Sequence, residues 1–97
     1  MLTISDVQRM MRELYGHRDV RRSPERTLLW LISEVGEVAD AVIKNRGHGI
    51  EEELADVLAW LASFANVLNV DLEAAFSSKY GDRCPRCASK PCDCPES

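Results

Sequence analysis

Much of what this 97-residue chain can be is set by what it lacks. It lacks an excess of positive charge: twelve Lys and Arg stand against sixteen Asp and Glu, for a net charge of −4. Proteins that grip nucleic-acid backbones carry the opposite balance, so a nucleic-acid polymer is not an expected partner. It lacks a long apolar run. The longest uncharged stretch, residues 57–70, holds Ser63, Asn66 and Asn69 and falls short of the roughly 18 residues a membrane span needs, so no membrane partner is expected either. Residues 1–11 contain Asp6 and Arg9 and lack the apolar centre of a signal peptide, which leads us to expect an intracellular, cytoplasmic protein. Strand-like alternation and internal repeats are missing too. Finally, the first 83 residues have no cysteine: all four thiols, Cys84, Cys87, Cys92 and Cys94, crowd into one short window. A disulfide framework ties distant segments together, whereas these can constrain only their own loop, so a reducing compartment and a metal site fit them better.

What is present reads as helix through the first 80 residues. Ile4, Val7, Met10, Met11 and Leu14 give an amphipathic first helix ending at Tyr15-Gly16, followed by a polar connection over residues 17–26. Ser23-Pro24-Glu25 supplies a cap hydroxyl, a first-turn proline and an acid at the positive end of a second helix that runs to about Asn45. Arg46-Gly47-His48-Gly49 breaks it, and a third helix runs from about Ile50 to Leu68. Asp71 caps a short fourth helix ending at Tyr80-Gly81. The predicted fold is all-α: residues 1–81 form one domain, and residues 82–97 form a short cysteine-rich appendage. Helices two and three make an antiparallel hairpin that is apolar on more than one face. So small a chain buries only about two thirds of its unfolded surface, and we expect a homodimer or homotetramer to complete the bundle.

Charge placement points to chemistry. Between Thr27 and Ile43 the charged residues are Glu34, Glu37 and Asp40; between Leu54 and Val70 there is Asp56 alone. Neither segment has a basic residue, and acids on helices this apolar are expected to be enclosed, which is costly unless they are paired or bound to metal. Glu34 and Glu37, three residues apart, project from one helix face, and Glu53 and Asp56 repeat that spacing on the next helix. Counted from the turn, the two pairs reach similar heights, so the four carboxylates can converge across the hairpin. Oxygen donors suit a hard cation, and Mg²⁺ is the usual choice where carboxylates must also meet phosphate. A single such pair is commonly a solvated acidic patch; two on adjacent apolar helices are not. Glu51 and Glu52 suit the helix dipole instead, and Asp40 lies off the stripe and suits a structural or solvated role.

The segment from Trp30 through Ser33, Glu34, Glu37 and Ala41, followed by Glu53-Leu-Ala-Asp56 and Trp60, resembles the MazG-type all-α nucleotide pyrophosphohydrolase family. That family's hallmark is E-E-x-x-E, a variable loop and E-x-x-D, and the resemblance covers roughly residues 3–80. Ser33 stands where the hallmark has its first Glu, which removes one candidate ligand or base. The resemblance implies hydrolysis of a nucleoside triphosphate between its α and β phosphates, giving nucleoside monophosphate and pyrophosphate. It also implies Mg²⁺, with Mn²⁺ as a substitute, held by Glu34, Glu37, Glu53 and Asp56, and one Glu of the 34/37 pair accepting the proton of the attacking water.

Around this centre, Trp30 and Trp60 sit on the carboxylate stripes and either stack on a base or seal the bundle core. Asn66 can read a base edge, while Asn69 suits a helix-end cap. Lys44 and Lys79 are candidate phosphate contacts, with a plain solvated role as the alternative. Arg18, Arg21, Arg22 and Arg26 either guide the triphosphate or balance the acidic bundle. His17 and His48 have no complementary ligand spacing. The tail's Cys84, Cys87, Cys92 and Cys94 resemble a compact Zn²⁺ knot, structural because four thiolates close the coordination sphere; disulfides or a loose reduced tail are the alternatives. Two rival functions remain open at this level: a non-catalytic helical dimer whose zinc tail recruits a protein, and a phosphoribosyl-ATP pyrophosphatase.

Overall fold

The computed structural model describes residues 1–45 and 49–96 and contains four helices: α1 Ile4–Asp19, α2 Pro24–Ile43, α3 Ile50–Val67 and α4 Leu72–Lys79. The fold is all-α. The caps follow from local chemistry. Thr3 Oγ1 accepts the Asp6 N–H at 3.0 Å while Asp6 Oδ2 accepts the Thr3 N–H at 2.9 Å, a reciprocal box at the head of α1. Ser23 Oγ accepts from Arg26 N ahead of Pro24, and Asp71 Oδ1 accepts from Ala74 N at the head of α4. Asn69 closes α3 in the left-handed region at φ 57°, with Val70 N bonded to Ala65 O and Asn69 N to Asn66 O. The capping role expected of Asn69 is the one it has. Gly49 precedes α3 at φ 87°, where a side chain would strain the backbone. The rest of the predicted break, residues 46–48 with His48, lies outside the described residues.

α2 and α3 pack along each other as the hairpin, α1 lies on α3, and α4 touches α1. Two expectations need correction here. First, α1 does not stop at Gly16; it continues one more turn to Asp19, so His17, Arg18 and Asp19 are helical rather than part of a connection. Gly16 keeps the helical conformation, and the extra turn is fixed by burial of Asp19, whose Oδ1 accepts from the Arg22 guanidinium at 3.0 Å. Second, Asn66 has no freedom to read a base. Its Oδ1 accepts from Gln8 Nε2 and Arg12, both at 2.9 Å, and its Nδ2 donates to Gln8 O.

Gln8 is the polar clamp of the fold. Buried at the α1–α3 contact, it also donates to Val70 O at 2.9 Å and accepts from Leu72 N at 2.7 Å, thereby fixing the bend between α3 and α4. Removing these bonds strands partly buried backbone and side-chain groups, so Gln8→Leu is expected to cost about 2 kcal/mol. In a chain this size that lowers the thermal midpoint by roughly 10 °C, measurable by calorimetry.

The apolar interior of a single chain is thin. Among the described residues the buried hydrophobic ones are Ala41, Ala62 and Ala65, while Leu28, Ile32, Val35 and Val42 of α2 and Leu54, Leu58 and Leu61 of α3 stay exposed. Each set recurs in steps of three, four or seven residues, making a continuous stripe along its helix. Among the described residues no single helix is long and apolar enough to cross a membrane; α3 and α4 reach that length together only across a 99° bend.

Candidate active site

The hairpin brings acids from both helices together. One carboxylate oxygen from each of Glu34, Glu53 and Asp56 lies within 4.8 Å of the others. Oxygens around one Mg²⁺ at about 2.1 Å are separated by roughly 3.0–4.2 Å, so these three need only small side-chain adjustments to share an ion. Glu37, the fourth expected ligand, stands outside this triad and is exposed. Its charge is nevertheless felt at Glu34. The Glu34 carboxyl is held above its ordinary range, first by burial and then by the negative charges of Asp56, Glu53 and Glu37, while the Trp60 indole pulls the other way. The expectation of fully enclosed acids is corrected: Glu34 and Glu53 are half-buried, and Asp56 is exposed. The neighbouring negative charges add, through their repulsion, to the cost of ionising Glu34, a cost that a bound cation would relieve.

That repulsion has a measurable consequence. A carboxyl whose pKa is raised by folding binds its proton more tightly in the folded chain, so its contribution to stability is full below its ordinary value of 4.5 and is lost as pH rises through the folded value. In chelator, Glu34→Gln is therefore expected to raise the thermal midpoint at about pH 7.5 and to leave it near wild type at about pH 4, as followed by scanning calorimetry.

Trp30 and Trp60 stack on each other, with ring centroids 5.8 Å apart and planes inclined by 13°. The Arg22 guanidinium lies over the Trp60 ring at 4.9 Å and binds buried Asp19, whose Oδ2 finds no hydrogen-bond partner among the described residues. The pair therefore forms a wall beside Glu34 rather than two separate platforms. Trp30 is 46% exposed. A cleft of about 230 Å³ opens beside it, lined also by Arg26, Leu29 and Ser33, and another of about 160 Å³ adjoins Trp60, Arg18 and Ser63. Of the arginine cluster, Arg22 is committed to Asp19 and Trp60, while Arg18 and Arg26 line these clefts. The Asp19–Arg22–Trp60 unit was not expected from the sequence; the i,i+3 spacing of Asp19 and Arg22 was its one available sign.

The two lysines are placed differently. Lys44 Nζ lies 3.4 Å from Asp40, four residues back on the same helix, in keeping with the surface role expected of Asp40. Lys79 Nζ sits 5.5 Å from the Tyr80 ring and lines a cleft with Cys84, Pro85, Arg86 and Cys94 of the tail. In the tail itself the four sulfurs converge within 4.8 Å of one another as free thiols. The Asp93 and Ser89 N–H groups draw the Cys87 thiol down to about 6, and its thiol neighbours, Cys92 first, push Cys94 up to about 12.

The arrangement defines a class: an all-α domain with an acidic triad across a helical hairpin, walled by aromatics and flanked by arginines. Residues 22–88 match the family described as MazG nucleotide pyrophosphohydrolase domain, and the chain belongs to that family. It is also similar to the dCTP pyrophosphatase 1 proteins of Rattus norvegicus and Mus musculus, each 33% identical over 92 residues, and of Homo sapiens, 34% identical over the same length. These alignments cover 79% of this chain and 54% of each relative, so the chain spans about half the length of the curated proteins it matches.

Proposed function

We propose that the domain hydrolyses nucleoside triphosphates between the α and β phosphates, with Mg²⁺ as cofactor and Mn²⁺ as a substitute. The observation that carries this reading is the convergence of Glu34, Glu53 and Asp56 in a chain of this family. These three carboxylates would hold the ion. When bound, it supplies charge neutralisation of the triphosphate and orientation of the attacking water. Glu37, near enough to raise Glu34 yet outside the triad, is the carboxylate left to accept the water's proton. Water oxygen then bonds to the α phosphorus, the bond from that phosphorus to the bridging oxygen breaks, and pyrophosphate leaves. Arg18 and Arg26 face the phosphates from the two clefts, and the exposed Trp30 ring offers a surface for the base. Lys44 and Lys79 remain candidates for outer phosphate contacts. The names of the relatives make a deoxynucleoside triphosphate, dCTP first, the substrate to try.

We further propose that two chains pair through the apolar stripes of α2 and α3, in a dimer or a dimer of dimers. A folded monomer of this mass exposes about 5,600 Å², whereas this chain exposes 7545 Å². The excess is of the size that protein–protein interfaces bury. The assembled protein is read as cytoplasmic, with 1–81 as the hydrolase domain and 82–97 as its appendage.

The test is pyrophosphate release from a panel of ribo- and deoxyribonucleoside triphosphates, with phosphoribosyl-ATP included, in Mg²⁺ and in chelator. Metal-dependent release from at least one triphosphate supports the reading. Release from phosphoribosyl-ATP alone moves the chain to the histidine-pathway alternative. No release from any substrate, by a folded protein, leaves the non-catalytic dimer.

A further inference from the structure

We infer that the cysteine tail is a closed, structural Zn²⁺ site, formed by Cys84, Cys87, Cys92 and Cys94 and separate from the acidic centre. The distances between sulfurs carry the argument. Four sulfurs placed tetrahedrally at about 2.3 Å from one zinc ion are about 3.8 Å apart. Here Cys84 and Cys94 Sγ lie 3.8 Å apart, Cys87 and Cys92 Sγ lie 4.0 Å apart, and all four fall within 4.8 Å. Sulfurs joined in a disulfide would stand about 2.05 Å apart, so the arrangement is that of ligands around a common centre and not of bonded pairs.

The backbone is shaped to the same end. Ala88 N bonds to Cys84 O at 2.8 Å, and Ala88 takes the left-handed conformation at φ 63°, folding Cys84-Pro85-Arg86-Cys87 into a tight knuckle. Cys84 N is closed off by Ser89 O at 3.0 Å. Two further N–H groups point at sulfur: Asp93 N at 3.2 Å from Cys87 Sγ and Cys94 N at 3.4 Å from Cys92 Sγ. Donors of this kind stabilise thiolate charge and set sulfur orientation, as partners outside the ligand shell do in metal centres. Lys90 Nζ on Asp82 Oδ2, 2.7 Å, ties the two ends of the knuckle segment together. Beyond these bonds the tail has little to hold its shape, because residues 82–96 contain no helix or strand and bury no large apolar side chain. Four protein thiolates leave no open position for water or substrate, so the ion holds the fold and takes no part in hydrolysis. Its place beside Lys79 and Tyr80 makes it a clasp on the chain leaving α4.

The test uses the full chain purified under reducing conditions. Elemental analysis is expected to find one zinc per chain, resistant to Mg²⁺ exchange. Replacement by Co²⁺ is expected to give the intense visible bands and sulfur-to-metal charge transfer of a tetrahedral thiolate site. Cys84→Ser combined with Cys87→Ser is expected to abolish both signals while far-ultraviolet circular dichroism retains the helices. A reduced, folded chain that binds neither ion overturns the inference, and so does an intact mass lower by two hydrogens for each disulfide formed. Zinc retained by the double variant also overturns it, since the ion would then reside on the carboxylates.

Discussion

Asp56→Asn is expected to lower kcat/KM for pyrophosphate release by about 10³-fold, while the purified variant stays folded and melts no lower than wild type in chelator. Loss of a partner outside the ligand shell typically costs 10–100-fold, and a direct ligand should cost more. The exchange is nearly isosteric and Asp56 is exposed, so it makes no cavity. It removes one of the charges that raise Glu34, which relieves repulsion in the metal-free protein. Loss of activity together with unchanged or increased stability separates a functional carboxylate from a structural one. If the variant kept wild-type turnover at saturating Mg²⁺, Asp56 would have no part in the site.

The second large effect concerns assembly. Ile32→Asp places a charge in the middle of the α2 stripe, between Leu28 and Val35. In a paired bundle that charge would be buried without a partner, so the variant is expected to sediment as a monomer. Its unfolding midpoint is expected to be independent of protein concentration, and that of the wild type to rise with concentration. A loss of about 10 °C or more follows if the stripes supply most of the missing core. Wild-type protein that sediments as a monomer at micromolar concentration would refute the pairing, and the exposed stripes would then need another occupant.

How far the sequence carried these results depends on the range of the interaction involved. Ser23-Pro24, Asp71 and Asn69 announce helix ends because each acts on backbone groups a few residues away. The convergence of Glu34, Glu53 and Asp56 was equally legible, because three-residue spacing on two antiparallel helices nearly dictates it. The separation of Glu37 from that triad was not. It depends on how α2 is rotated against α3, which the whole interface sets. Gly16 misled for a similar reason: the local stop signal is overridden by burial of Asp19 against Arg22, a tertiary effect. Asn66 looked like a base reader because its partner, Gln8, lies 58 residues earlier in the chain. The spacing of the cysteines foretells that four sulfurs gather, but not the bonds from Asp93 and Cys94 N–H to sulfur, which depend on how the tail loops fold.

The tryptophan stack has one more use. The chain contains two tryptophans in all, and they are the two rings in contact beside Glu34. Indole fluorescence therefore originates at a single locus. Occupancy of the crevice can thus be watched by light alone, with no dye and no engineered reporter.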